Sequence, residues 1–159
     1  MRRLLLLAAL ALFAAPTASA CSPSPVAVDL NFPNTDAFMR SEQARIRVFP
    51  LTEDQLGLCP TLLDGLPTGA FAVEPAFDSQ LTSVCAIRGA IELPELGEGP
   101  HAYLVEVQAA SRRILQGCTV AEVYVDAPDI VIALHPTQDF AVATALPGTP
   151  ESRCQGGGS

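Results

Sequence analysis

Two histidines, His101 and His135, are the only imidazoles in the chain, and side by side they would suit acid–base work or a metal ion near neutral pH. Each instead sits next to a proline at the edge of a candidate strand, where an exposed or hydrogen-bonded histidine is ordinary. Glu92, Glu95 and Glu98 cluster before a strand at a spacing that could present oxygen ligands to Ca²⁺. No Asp-x-Asp-x-Asp-Gly series accompanies them, so they read as a solvated acidic loop. Tyr103 and Tyr124 could stack on a sugar, but with two tyrosines and no tryptophan they read as core or rim residues. The hydrolase and phosphate-binding patterns G-x-S-x-G, H-E-x-x-H and G-x-x-x-x-G-K-[ST] are absent. No catalytic, cofactor or metal residue is assigned, and no enzyme activity or cofactor is expected. The remaining reactive groups are five cysteines, Cys21, Cys59, Cys85, Cys118 and Cys154. They lack C-x-x-C spacing, which favours disulfides over a metal site.

The first residues say where those cysteines reside. Arg2 and Arg3 precede an unbroken apolar run, Leu4 to Ala15, and a small-residue end at Ala18-Ser19-Ala20, the layout of an export signal over residues 1–20. At ~1.5 Å per residue that run reaches roughly 18 Å, short of the ~30 Å hydrocarbon core of a bilayer. Cleavage before Cys21 suits two routes. A lipoprotein peptidase needs a cysteine there to receive the lipid, and Ala-x-Ala also suits the ordinary signal peptidase. The expectation is lipidation of Cys21 with residues 21–25, Cys-Ser-Pro-Ser-Pro, as a tether, because it leaves an even set of four cysteines for an oxidising compartment to pair. A soluble periplasmic or secreted protein with an odd thiol is the alternative. Four cysteines allow three pairings.

Removing the signal leaves seventeen acidic residues against seven arginines and no lysine, a formal charge of about −10. That surface repels phosphate backbones, so nucleic acid is not an expected partner.

The rest of the chain alternates as strands do. In Val26 to Phe32 the even-numbered residues are apolar, and Ala44 to Phe49 alternates Ala44, Ile46 and Val48 with Arg45 and Arg47, whose face is expected to be solvated. Pro33 to Asp36 is a turn cluster, leading into an irregular link from Ala37 to Glu42. Thr52 and Gln55 have capping-box spacing for a helical turn to Leu58, and Pro60 opens a second short helix to Leu63, stopped at Gly65. Pro67 to Gln80 reads as loop with a short strand at Ala70 to Val73. Leu81 to Leu93 reads as one extended stretch with Cys85 facing inward. The stretch His101 to Val125 predicts two or three consecutive antiparallel strands, with Tyr103, Val105, Val107 and Ala109 on one face and a bend or bulge at Gly117. Asp129 to Leu134 closes the set. The expected fold is all-β, an antiparallel β-sandwich of about seven strands with one short helical insertion, occupying residues 26–136. Residues 137–159 form a C-terminal tail, disordered at its end unless Cys154 ties it down.

The segment IELPELGEGPHAYLVEVQA resembles the carboxypeptidase-regulatory-like or transthyretin-like sandwich of exported bacterial proteins, over about Ala90 to Val125. ARIRVFP followed by a cysteine, and AYLVEVQA followed by GCT, are similar to a group of uncharacterised bacterial lipoproteins. The resemblance implies Cys59 paired with Cys118 and Cys85 with Cys154, and it implies no catalytic residue. The function expected is a non-enzymatic envelope protein, a structural or protein-interaction module held to the membrane through Cys21 and facing periplasm or cell surface. Its partner would be an envelope protein or a glycan. The alternative is a secreted or surface module binding carbohydrate, peptide or a small apolar ligand.

Overall fold

A computed structural model describes residues 26–87, 91–124 and 126–155. The signal, the tether and Cys21 lie outside the described residues. The chain runs β1 (Ala27–Asn31), α1 (Thr35–Arg40), β2 (Gln43–Pro50), α2 (Cys59–Gly65), β3 (Phe77–Asp78), β4 (Thr82–Ser83), β5 (Ile91–Glu92), β6 (Gly99–Ala109), β7 (Arg112–Val123), β8 (Ile130–Ala133), β9 (His135–Pro136) and α3 (Pro150–Gln155), with 3₁₀ turns at Glu53–Gln55 and Gln138–Val142.

The strands form two sheets, so the protein is mainly β. The smaller has the order β5-β1-β8 and the larger β3-β2-β6-β7-β9, with β4 also paired to β2. The expectation of wholly antiparallel strands is corrected at one place: β1 and β8 run parallel, Val28 opposite Ile130 and Leu30 opposite Ile132. A parallel neighbour needs a long crossover, and here most of the chain lies between the two strands.

The centre of the larger sheet is the hairpin β6–β7. Ala109 is opposite Arg112, so the loop is the two residues Ala110 and Ser111, with φ of 48° and 62°. Positive φ at both central positions matches the right-handed twist of the strands. β7 then runs as one strand to Val123, so the expected two or three strands are two. The bulge falls opposite Val107/Gln108, at Ile114. Gly117 has another use: a Cβ there would collide with the carbonyl of Ala133, so glycine lets the two sheets approach.

One apolar cluster fills the space between the sheets, with Val28, Leu30, Ile130 and Ile132 from the smaller and Ile46, Val48, Tyr103, Val105 and Leu115 from the larger. A second lies on the opposite face of the larger sheet, where α2 and the segment after it cover Phe49, Ala102 and Leu104. β6 is therefore buried on both faces, although its period-two pattern reads as half-buried. A third, smaller cluster packs Phe38, Met39 and Val84.

Local signals explain most of the rest. Pro lies in the first turn of α2, which reaches Gly65, and the backbone N–H of Thr52 donates to Gln55 Oε1 at 3.2 Å. Where an irregular link was expected, α1 forms because Asn34 Oδ1 accepts from the N–H of Ala37 at 2.8 Å, a side-chain N-cap. No strand forms at 70–73; the short strand is β3, paired with β2 at Val48 and Arg47. Leu81 to Leu93 is not one extended stretch. After β4 the chain turns at 84–87, burying Val84 and leaving Leu81 40 % exposed.

Two disulfides close the structure. Cys59 at the start of α2 joins Cys118 of β7, and Cys85 joins Cys154 of α3, the two pairs the resemblance implies. The second bridge anchors the C-terminal segment, assisted by Arg153, whose guanidinium donates to the carbonyls of Phe38 and Ser41 at the end of α1. A cation at that end also faces the negative pole of the helix.

Candidate functional site

Of the two arginines of β2, whose face the sequence suggested is solvated, Arg47 is buried and Arg45 only partly exposed. Arg45 and Arg47 project onto the face of the larger sheet that the 66–78 segment covers. Arg47 is 7 % exposed and Glu106 7 %. Arg47 lies diagonally across from Glu106, donating to it at 2.9 Å, and its Nε stands 3.4 Å from Asp78 of β3. Asp78 also accepts from Arg45 Nε at 2.6 Å, and Phe71 lays its ring 5.2 Å from the Arg47 guanidinium carbon. Two cations and two anions neutralise one another, which is what makes their burial tolerable. The hydrogen bond from Arg45 holds the Asp78 carboxyl below the usual carboxylate range, against the opposing effect of burial, and the same bond raises the Arg45 guanidinium. The acids are committed as acceptors, and the cluster works as a polar clamp between β2, β3 and β6.

Of the two expected states, exposed or hydrogen-bonded, His101 takes the second, and it is buried. Its Nδ1 lies 2.9 Å from the carbonyl of Gly99, and its ring centroid is 6.4 Å from that of Tyr103. His135 is exposed on β9. Along β7, His101 is opposite Ala121 and His135 opposite Gln116; five strand residues at ~3.4 Å each separate them by roughly 17 Å. They share no site. Glu92, Glu95 and Glu98 are exposed, and among the described residues no group of three or more His, Cys, Asp or Glu is placed to hold a metal ion. Tyr103 is buried at the centre of the core and Tyr124 is half exposed, so they form no common platform for a sugar. Burial pushes the Tyr103 phenol up to about 12, and among the described residues its hydroxyl has no hydrogen-bond partner.

What the fold does present is recessed surface. A recess of about 510 Å³ lies where the tip of the β6–β7 hairpin meets the segment after β9; Ile114, Ala109, Val142 and Leu146 give it apolar walls, and Glu42, Arg112 and Asp139 a charged rim. Val142 and Leu146 are 62 % and 47 % exposed. Arg40 holds that segment in place through the Ala143 carbonyl and the Phe140 ring. Sequence reasoning passed over this recess because half of it belongs to a tail with no strand or helix period. A second recess, about 400 Å³, is lined by Phe32, Asn34, Phe38, Ile87 and Pro150. Both have apolar walls that can receive an apolar group.

The chain matches no protein-family model, no curated protein and no solved structure. Among the described residues no helix is long and apolar enough to cross a membrane. The disulfides point to an oxidising compartment outside the cytosol.

Proposed function

We propose that the protein is a non-enzymatic envelope module, a disulfide-stapled β-sandwich of transthyretin-like type that acts as a structural or protein-interaction unit and is anchored through a lipid on Cys21. The cysteine pairing carries this reading. Cys59, Cys85, Cys118 and Cys154 satisfy one another, so Cys21 has no cysteine of its own chain to pair with, and acylation is the use of a lone cysteine at that position that export chemistry provides. The surface supports an interaction role: its recess beside the hairpin tip has apolar walls and a charged rim. A ligand-binding reading, for a small apolar compound or a peptide side chain, is favoured by the recess beside Val142 and Leu146.

Intact mass of protein purified from its native host tests the anchor. The expected result is a chain beginning at Cys21 and carrying acyl chains, with four thiols open to alkylation only after reduction. An unacylated chain beginning at Cys21 would overturn the anchor and leave a soluble exported protein with an odd thiol.

A further inference from the structure

The two sheets do not cover each other evenly. At Gly117 they close up, the Ala133 carbonyl of β8 lying against the glycine. Beyond that point β7 continues to Val123 while β8 has no further neighbour in its sheet among the described residues. The result is a recess of about 270 Å³ with Thr119 and Ala121 of β7 as its floor and Ile130 and Val131 of β8 as its wall. Val131 and Tyr124, at its margin, are 54 % and 50 % exposed.

The wall is an open strand edge. The N–H of Leu134 donates to the carbonyl of Asn31, so in this parallel pair the even-numbered residues of β8 turn their backbone groups to β1 and Val131 turns its N–H and C=O outward. Such an edge is a template for another strand. The rim decides what kind of strand: Glu122 and Asp129 line the recess with no arginine among the described residues, and Asp126 lies exposed in the turn between them. A second copy pairing edge to edge would set these acids against their own equivalents, which is unfavourable.

We infer that this gap docks an extended basic segment of a partner protein, which adds to β8 as a fourth strand of the smaller sheet and lays alternate apolar side chains over Thr119 and Ala121. Backbone pairing supplies affinity and the apolar positions and acidic rim supply selectivity, as in other cases of strand addition. The inference rests on the interaction-module reading above.

The test uses the full chain and a synthetic peptide, acetyl-Arg-Val-Arg-Val-Arg-Val-Arg-amide, with acetyl-Arg-Pro-Arg-Pro-Arg-Pro-Arg-amide as an equally charged control that cannot donate at alternate positions. Amide hydrogen exchange followed by NMR is expected to slow at Val131 with the valine peptide and to stay unchanged with the proline peptide. Val131→Pro removes only an outward N–H and is expected to weaken binding about tenfold. Glu122→Arg combined with Asp129→Arg is expected to do the same through charge. If Val131→Pro does not fold, the charge-reversed variant and the exchange of the unaltered chain decide the question. Equal binding of the two peptides, or no slowing at Val131, would overturn strand addition. Slowing at Val142 and Leu146 instead would overturn this site yet leave the interaction-module reading standing. That reading itself fails if crosslinking in intact cells joins the protein to no envelope component.

Discussion

Tyr103 shows how one atom can set the behaviour of a core. Its ring is fully buried between the sheets, yet its hydroxyl has no partner among the described residues, so the phenol can ionise only at a cost. Its folded value is raised to about 12 from the ~10 of an unfolded chain. The stabilisation this represents is complete below about pH 10 and is lost as pH rises through 12. Urea unfolding of the unaltered protein is expected to show a midpoint that falls over that window, and Tyr103→Phe to flatten the fall. At neutral pH the same substitution is expected to be neutral or slightly stabilising, because it removes an unsatisfied buried polar group while keeping the ring. A clear loss at neutral pH would mean that the hydroxyl is bonded.

At the scale of elements, the β6–β7 hairpin is well patterned along its strands and poorly patterned at its turn. Both loop positions adopt positive φ, but they are occupied by alanine and serine, residues that avoid that region by roughly 1 kcal/mol or more each. Asn-Gly suits such a turn. The double substitution Ala110→Asn, Ser111→Gly is therefore expected to raise the free energy of unfolding by about 1 kcal/mol, measured by chemical denaturation. Glu42 stays in place to accept from the N–H of residue 110, so the register should not shift. A loss of stability would show that Ala110 and Ser111 make contacts that compensate for their backbone.

At the scale of the molecule, the two disulfides protect different parts. Cys59–Cys118 holds α2 on the face of the larger sheet, and Cys85–Cys154 holds α3 against the turn after β4 and, with Arg153, against α1. Each spans about sixty to seventy residues, and each is expected to contribute about 4 kcal/mol through the entropy it removes from the unfolded chain. Replacing Cys85 and Cys154 by serine should lower global stability by that order and also speed amide exchange in α3 while β6 and β7 remain protected. If α3 stays protected, Arg153 and the apolar contacts of Phe38 suffice without the bridge.

The strand periods of β1, β2, β6 and β8 are legible from the residues alone, because alternation reflects an interaction each strand makes along its own length. So are the capping residue at Thr52 and the proline that opens α2, signals carried within one turn of chain. What covers those strands depends on segments far away in the chain. Arg45 and Arg47 alternate like a solvated face, but the 66–78 segment folds over them and brings Asp78 from a distant position to make their burial neutral. Gly117 was explained by Ala133, a residue sixteen positions away. The recess beside Val142 and the open edge of β8 belong to no single segment. The recess arises where the hairpin tip meets the segment after β9, and the edge where two sheets of unequal extent meet, juxtapositions that belong to the assembled fold and have no local pattern to announce them.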